Sequence, residues 1–226
     1  MNISLAAEPI FHIGSFPITN TLLTSWIAIA LLLLGAFVLR KRMADVPKGF
    51  QNVIEAVFEG MLGVSDSITG SREQTKKFFP LIATLFLFIL LANWLGILPG
   101  FGTVGLREMH EGKNIIVPFL RSTNSDLNMT LGMAIISVFS IQMFGIILIG
   151  AAKYSKRFFN FKNPIFTFVG IIELVSEVAK LISFSFRLFG NVFAGEVLLV
   201  VISSLVPYVV PLPFYFLELF VGFIQA

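Results

Sequence analysis

Cysteine is absent from the 226 residues, which excludes disulfides and any thiolate-held metal. Histidine is nearly absent: His12 and His110 stand far apart and form no HExxH-type pair, so the sequence offers no transition-metal centre. Charged residues make up only 13% of the chain, against about 25% in soluble domains, too few to cover a soluble surface of this size. Between Pro9 and Leu39 there is no Asp, Glu, Lys or Arg. No basic segment precedes that run, and Glu8 stands in front of it, so it does not read as a cleaved secretion signal and is expected to remain in the mature protein. Internal repeats and low-complexity tracts are also lacking, which leaves one membrane domain, 1–226, as the expected organisation.

What remains is apolar. Hydrophobic residues reach 56%, with 26 Phe and a mean hydropathy of +0.90. The stretch Leu22 to Leu39 is long enough for a bilayer core of about 30 Å, which takes about 20 helical residues. Uncharged runs follow at Phe78 to Leu106 and Leu127 to Ala152, and the chain after Asn163 is again mostly apolar. The net charge of +3 sits in short loops between these runs, which is no nucleic-acid signature. Arg40, Lys41, Arg42 and Lys48 face a single Asp45; Arg72, Lys76 and Lys77 precede the second run; Lys153, Lys156, Arg157 and Lys162 follow the third. Segment 107–126 is balanced instead. Because basic loops stay cytoplasmic, the N-terminus and 107–126 are expected outside, and 40–77 and 153–162 inside.

Three segments depart from simple spans. Phe50, Val53, Ile54, Val57, Phe58 and Met61 recur at helical spacing with Glu55 and Glu59 opposite, the pattern of an amphipathic helix on the inner membrane surface or against a partner helix. Segment 164–206 is proline-free between Pro164 and Pro207; as one helix it would be about 65 Å long, twice the hydrocarbon thickness, so a bend near Gly190 or Gly195 or a strong tilt is expected. Pro207, Pro211 and Pro213 mark a tight outer turn, and a last apolar helix starting near Phe214 forms a hairpin with the long one. It stops at Ala226 after about 20 Å, too short to cross, and reads as a truncated helix. The expected fold is therefore an all-α integral membrane protein of about five membrane helices plus one interfacial helix.

Ionisable side chains inside such helices are expensive and hence functional candidates. Arg187 lies far from either end of its apolar segment and cannot reach an interface easily. With Glu173 set at 0° and about 100° per residue, Glu177 falls near 40°, Lys180 near −20°, Arg187 near −40° and Asn191 near 0°. Glu196 falls near 140°, opposite Arg187 and about 13.5 Å further along the axis. Two polar surfaces on different faces and at different depths suit a stepwise ion path, because an uninterrupted polar wire would leak. A guanidinium between them is a fixed barrier, since it does not deprotonate. Simpler roles compete: local i,i+3 or i,i+4 ion pairing for Glu173, Glu177 and Lys180, a carbonyl-bonded buried acid for Glu196, and helix–helix hydrogen bonding for Asn93. A secondary transporter or a membrane scaffold subunit are the rival functions. The first would show internal repeats, which are not evident.

The stretch Phe186-Arg187-Leu188-Phe189-Gly190-Asn191 followed by Ala194-Gly195-Glu196 resembles the signature of subunit a of F-type ATP synthases. Leu91-Ala92-Asn93-Trp94-Leu95-Gly96 with Leu98-Pro99, Asp126-Leu127-Asn128-Met129-Thr130-Leu131, and the final Phe-Leu-Glu-Leu-Phe run with Gln225 resemble further parts of that family, in the same order. The resemblance implies that Arg187 faces a rotor ring of c subunits and that Asn191 helps to position it. It implies that Glu196 and Glu218 form an outer half-channel, with Asn93 a further candidate there, and that Gln225 lies near Arg187 on the neighbouring helix. Some relatives carry His where Glu218 stands. Glu173, Lys180 and Ser183 match positions of an inner half-channel, beside which Glu177 lies. The implied partners are the c-subunit ring, the b-subunit peripheral stalk and the lipid bilayer, with no cofactor, no metal and no catalytic site of its own. The implied location is a bacterial plasma membrane, with the mitochondrial inner membrane as the alternative.

Overall fold

A computed structural model describes residues 7–44, 47–98, 104–110, 113–159 and 163–226. Asp45, Pro99 and Lys162, and Glu111 within the 107–126 segment, lie outside the described residues. The chain opens with a small antiparallel hairpin, β1 (Pro9–Ile13) and β2 (Phe16–Thr19), and continues into α1 (Asn20–Arg42). Helices α2 (Phe50–Thr69) and α3 (Arg72–Ile97) follow. A second antiparallel hairpin, β3 (Gly105–His110) with β4 (Lys113–Pro118), leads through a 3-10 turn at Thr123–Ser125 into α4 (Leu127–Ile149). The short α5 (Ala151–Phe158), the long α6 (Pro164–Leu205) and α7 (Pro211–Gln225) complete the order.

Four helices, within α1, α3, α4 and α6, are long and apolar enough to cross a membrane; α7 is apolar but has only 15 residues. The all-α membrane class expected from hydropathy holds, and the two hairpins are additions to it. The first hairpin was hidden because Pro9–Thr19 shares the uncharged run of α1; its tight turn is possible because Gly14 takes φ +63°, where a side chain would be strained. The second run ends as a helix at Ile97, well before Leu106, and the third breaks at Gly150, whose φ of +88° turns the chain into α5. Helix α6 runs unbroken for 42 residues through both Gly190 and Gly195, so neither glycine interrupts it.

Helix α2 has its apolar surface divided. Ile54, Phe58, Met61 and Leu62 turn inward, while Val53, Val57, Val64 and Ile68 are exposed. Glu55 sits on the inward side, where the Gln51 amide donates to it at 2.7 Å. Gly70, at φ +69°, ends the helix, and Arg72 reaches back to Asp66 at 2.6 Å. The Thr75 hydroxyl first, then the Arg72 guanidinium, hold the Asp66 carboxyl below the ordinary carboxylate range.

The interior of the bundle is rich in polar side chains. Its most completely buried large side chains are Asn20, Asn124, Thr21, Thr24, Thr75 and Thr123, while tens of large apolar side chains are exposed. This inverts the pattern of a soluble protein and fits a molecule whose surroundings are lipid. Asp126 is the organising residue at one end. Its Oδ1 accepts from the Asn128 amide at 2.9 Å and caps α4, and its Oδ2 accepts from the Thr21 hydroxyl of α1 at 3.1 Å. The Thr24 hydroxyl accepts from the Arg121 amide at 3.3 Å, and Asn20 donates to the Pro118 carbonyl at 3.4 Å. Thus α1, the end of β4, the 121–126 segment and α4 are stitched together by side chains. Asp126→Ala removes a cap and leaves the Thr21 hydroxyl without its acceptor, a loss of about 2 kcal/mol. The thermal midpoint of the detergent-solubilised protein, followed by tryptophan fluorescence, is expected to fall by about 4–8 °C, with Asp126→Asn intermediate.

Candidate functional site

A cavity of 260 Å³ lies between α3, α6, α7 and the 121–126 segment. Helix α3 contributes Asn93, α6 contributes Glu196, α7 contributes Glu218 and Gln225, and the polar segment contributes Ser122. On α6 the wall is formed by Val192, Glu196, Leu199 and Val200, spaced as one helical face. Ser122 Oγ and Gln225 Oε1 are buried with no hydrogen-bond partner among the described residues, and both residues line the cavity. Unpaired polar atoms around a space of this size are what water satisfies in proteins.

Glycines bring the walls together. A methyl group at Gly195 would run into the Glu218 carboxylate, so only glycine lets that acid lie against α6. Gly222 gives the same room to Asn93, at 3.2 Å from the position of an added Cβ, and Gly96 gives it to Ser122, at 2.5 Å. Close approach at small residues is the usual device of helix packing in lipid. Polar bonds then hold the helices in register: Asn93 donates to the Gly222 carbonyl at 3.0 Å and accepts from Asn124 at 2.6 Å, and the Trp94 indole donates to the Leu219 carbonyl at 3.3 Å. Asn93 is only 3% exposed, so helix–helix bonding and cavity lining are both true of it.

Arg187 lies on the other side of α6. Ser185, Leu188, Phe189, Val192 and Gly195 form the buried stripe of this helix, and Ser185 meets the Thr130 hydroxyl of α4 at 3.3 Å. Ser183, Arg187, Asn191 and Ala194 form an exposed stripe beside it. The Arg187 guanidinium donates to the Ser183 hydroxyl at 3.4 Å and makes no ion pair among the described residues. Gln225 links the two faces: it lines the cavity, and its Nε2 donates to the Arg187 backbone carbonyl at 3.1 Å.

The more N-terminal polar residues of α6 lie apart from both. Glu173 pairs with Arg157 of α5, and Glu177 pairs with Lys180 at 2.7 Å. Helix α5 is fixed alongside by Tyr154, which donates to Gln142 of α4 and packs on Gly145. The polar stripe of Glu173, Glu177, Lys180, Arg187 and Asn191 therefore splits into a locally paired segment and an open one.

One participant escaped the sequence reading. Arg121, only 4% exposed, reaches Glu196 from the 121–126 segment, its Nε 3.2 Å from one carboxylate oxygen and 3.4 Å from the other. In the sequence it counts as one charge of a balanced outer loop. The signal available was its place at the head of Ser122-Thr123-Asn124-Ser125-Asp126, a polar run directly before an apolar helix.

Apolar outer surfaces, a polar interior, helices of crossing length and a cavity lined by two carboxyl groups define an integral, multi-pass membrane protein. The sequence profile of the ATP synthase A chain matches residues 22–226, and the chain belongs to that family. Among curated relatives, the ATP synthase subunit a of Moorella thermoacetica is 31% identical over 217 residues, covering 96% of this chain and 88% of the relative. That of Campylobacter jejuni subsp. doylei is 35% identical over 219 residues, 96% and 82% of the two chains, and that of Campylobacter fetus subsp. fetus 33% over 223 residues, 98% and 88%.

The contact between Gly195 and Glu218 gives a direct check on the cavity. Gly195→Ala forces α6 and α7 apart or moves the carboxylate, a strain of about 1–3 kcal/mol. Its thermal midpoint is expected to drop by several degrees, and Glu218→Ala in the same chain should restore most of it, because the colliding group is gone.

Proposed function

We propose that this chain is the proton-translocating stator subunit in the membrane sector of an F-type ATP synthase, in which Arg187 divides two offset half-channels serving carboxyl groups on a rotating c-subunit ring. The observation that carries this reading is the cavity holding Glu196 and Glu218, whose wall residue Gln225 bonds the backbone of Arg187. An acid-lined space thus comes to the depth of the arginine but on the opposite face of α6. The family membership supplies the complex, and the names of the relatives supply its activity.

In this mechanism the exposed stripe Ser183, Arg187 and Asn191 is the face offered to the ring. A rotor carboxyl group crosses lipid as the neutral acid, since an isolated charge there costs too much. Beside Arg187 the opposite charge favours the anion: at about 4 Å the attraction is about 4 kcal/mol at an effective dielectric near 20. The proton leaves into one half-channel, the ring turns, and the acid is reloaded from the other. Glu196, Glu218, Asn93 and Gln225 line the outer path. Glu173, Glu177, Lys180 and Ser183 belong to the inner one, with the first two carboxylates anchored by Arg157 and Lys180. The membrane potential contributes about 2.3 kcal/mol per charge per 100 mV. No covalent step falls to this subunit. Its partners in this reading are the c ring and the b-subunit stalk. Its setting is a bacterial plasma membrane with the N-terminus outside.

Arg187→Ala tests the assignment. The variant should co-purify with the other subunits at wild-type yield, while ATP-driven acidification of inverted vesicles falls by at least about a hundredfold. Arg187→Lys should fail nearly as badly, because the ammonium lacks the planar, always-charged fork. Loss of assembly with Arg187→Ala would instead mark the arginine as a scaffold residue, and undiminished coupled flux would remove it from the mechanism.

A further inference from the structure

Two carboxyl groups share the cavity, but they are held very differently. Glu196 is engaged by Arg121 through both carboxylate oxygens, at 3.2 and 3.4 Å. Arg121 is itself fixed: its backbone amide donates to Thr24 of α1, its guanidinium carbon lies 5.9 Å from the Phe193 ring, and its side chain is nearly fully buried. Phe193 and Glu196 are three residues apart on α6, so a single helical face receives the guanidinium. Glu218 comes from α7, lies half-buried against Gly195, and makes no ion pair among the described residues.

Resting on the reading of this cavity as the outer half-channel, we propose that Arg121 is a positioning residue that pins Glu196 as a fixed anion, and that Glu218 alone takes up and releases the proton there. A carboxylate and a guanidinium in close, partly buried contact compensate one another, and protonating the acid would remove the charge that Glu196 sets against a buried cation. The acid free of such a partner gains or loses a proton without that penalty. The pair also has a structural consequence: it ties α6 to the 121–126 segment and so keeps the cavity's α6 wall in place. Glu196 then shapes the path and sets its local field, while the proton moves through Glu218 and water.

The test is a charge-paired double variant. With the complete ATP synthase in inverted vesicles, Arg121→Gln and Glu196→Gln alone are each expected to lower ATP-driven proton pumping by about tenfold, since each removes one half of the buried pair. Arg121→Lys keeps the charge and should retain a substantial part of the flux. Arg121→Gln with Glu196→Gln removes both charges together and should pump at least about threefold better than Glu196→Gln alone, the sign of a coupled pair. Assembly is followed by co-purification in every case. A double variant no better than Glu196→Gln would overturn the proposal, because Glu196 would then be carrying protons itself. So would a double variant that fails to assemble where Glu196→Gln assembles. Glu218→Gln separates this from the underlying reading: it should abolish pumping in all backgrounds, and full pumping by Glu218→Gln would show that the cavity is not the proton path at all.

Discussion

Lipid on the outside removes the usual reason for helices to associate. An apolar side chain gains little by leaving hydrocarbon for a protein interior that is equally apolar, so packing contacts and polar bonds have to hold the bundle. The consequences run through the structure. Asp126 caps α4 and binds α1, Asn93 and Trp94 bond carbonyls of α7, Gln225 bonds a carbonyl of α6, and Ser185 meets Thr130. Glycines stand where these polar groups need room. The polar interior that stabilises the bundle also lines the cavity inside it, so helix packing and the cavity draw on one set of residues.

Much of the architecture follows from elementary features of the chain. The apolar runs mark the helices because hydrophobic length is dictated by bilayer thickness, and Arg187 stands out because an ionisable group there has no ordinary excuse. The angular offset of Arg187 from Glu196 is a matter of helical period and survives because α6 is unbroken. The hairpins were less legible: Pro9–Thr19 and Gly105–Pro118 are short, partly uncharged segments whose period-2 signal is masked by adjoining apolar helices. Partner choice was illegible for a different reason. Whether Glu173 pairs with Arg157, or Arg121 with Glu196, depends on how distant elements fold against each other, and a one-dimensional count of loop charge carries no such information.

The two faces of α6 divide its duties cleanly. Its buried stripe and the cavity stripe belong to this chain's own packing, through α4 and α7, whereas the stripe of Ser183, Arg187 and Asn191 is left uncovered. An arginine left exposed in that way has no acid paired with it among the described residues. Had Glu173 or Glu177 closed on it, the charge would already be answered; Arg157 and Lys180 answer those acids instead.

The length of α6 has a geometric outcome. An unbroken helix of 42 residues is about 63 Å long, and keeping it within hydrocarbon about 30 Å thick requires it to slope steeply away from the membrane normal. On such a ramp, each step along the helix is mostly a sideways step. Polar side chains spaced along it are then separated more across the plane of the membrane than in height.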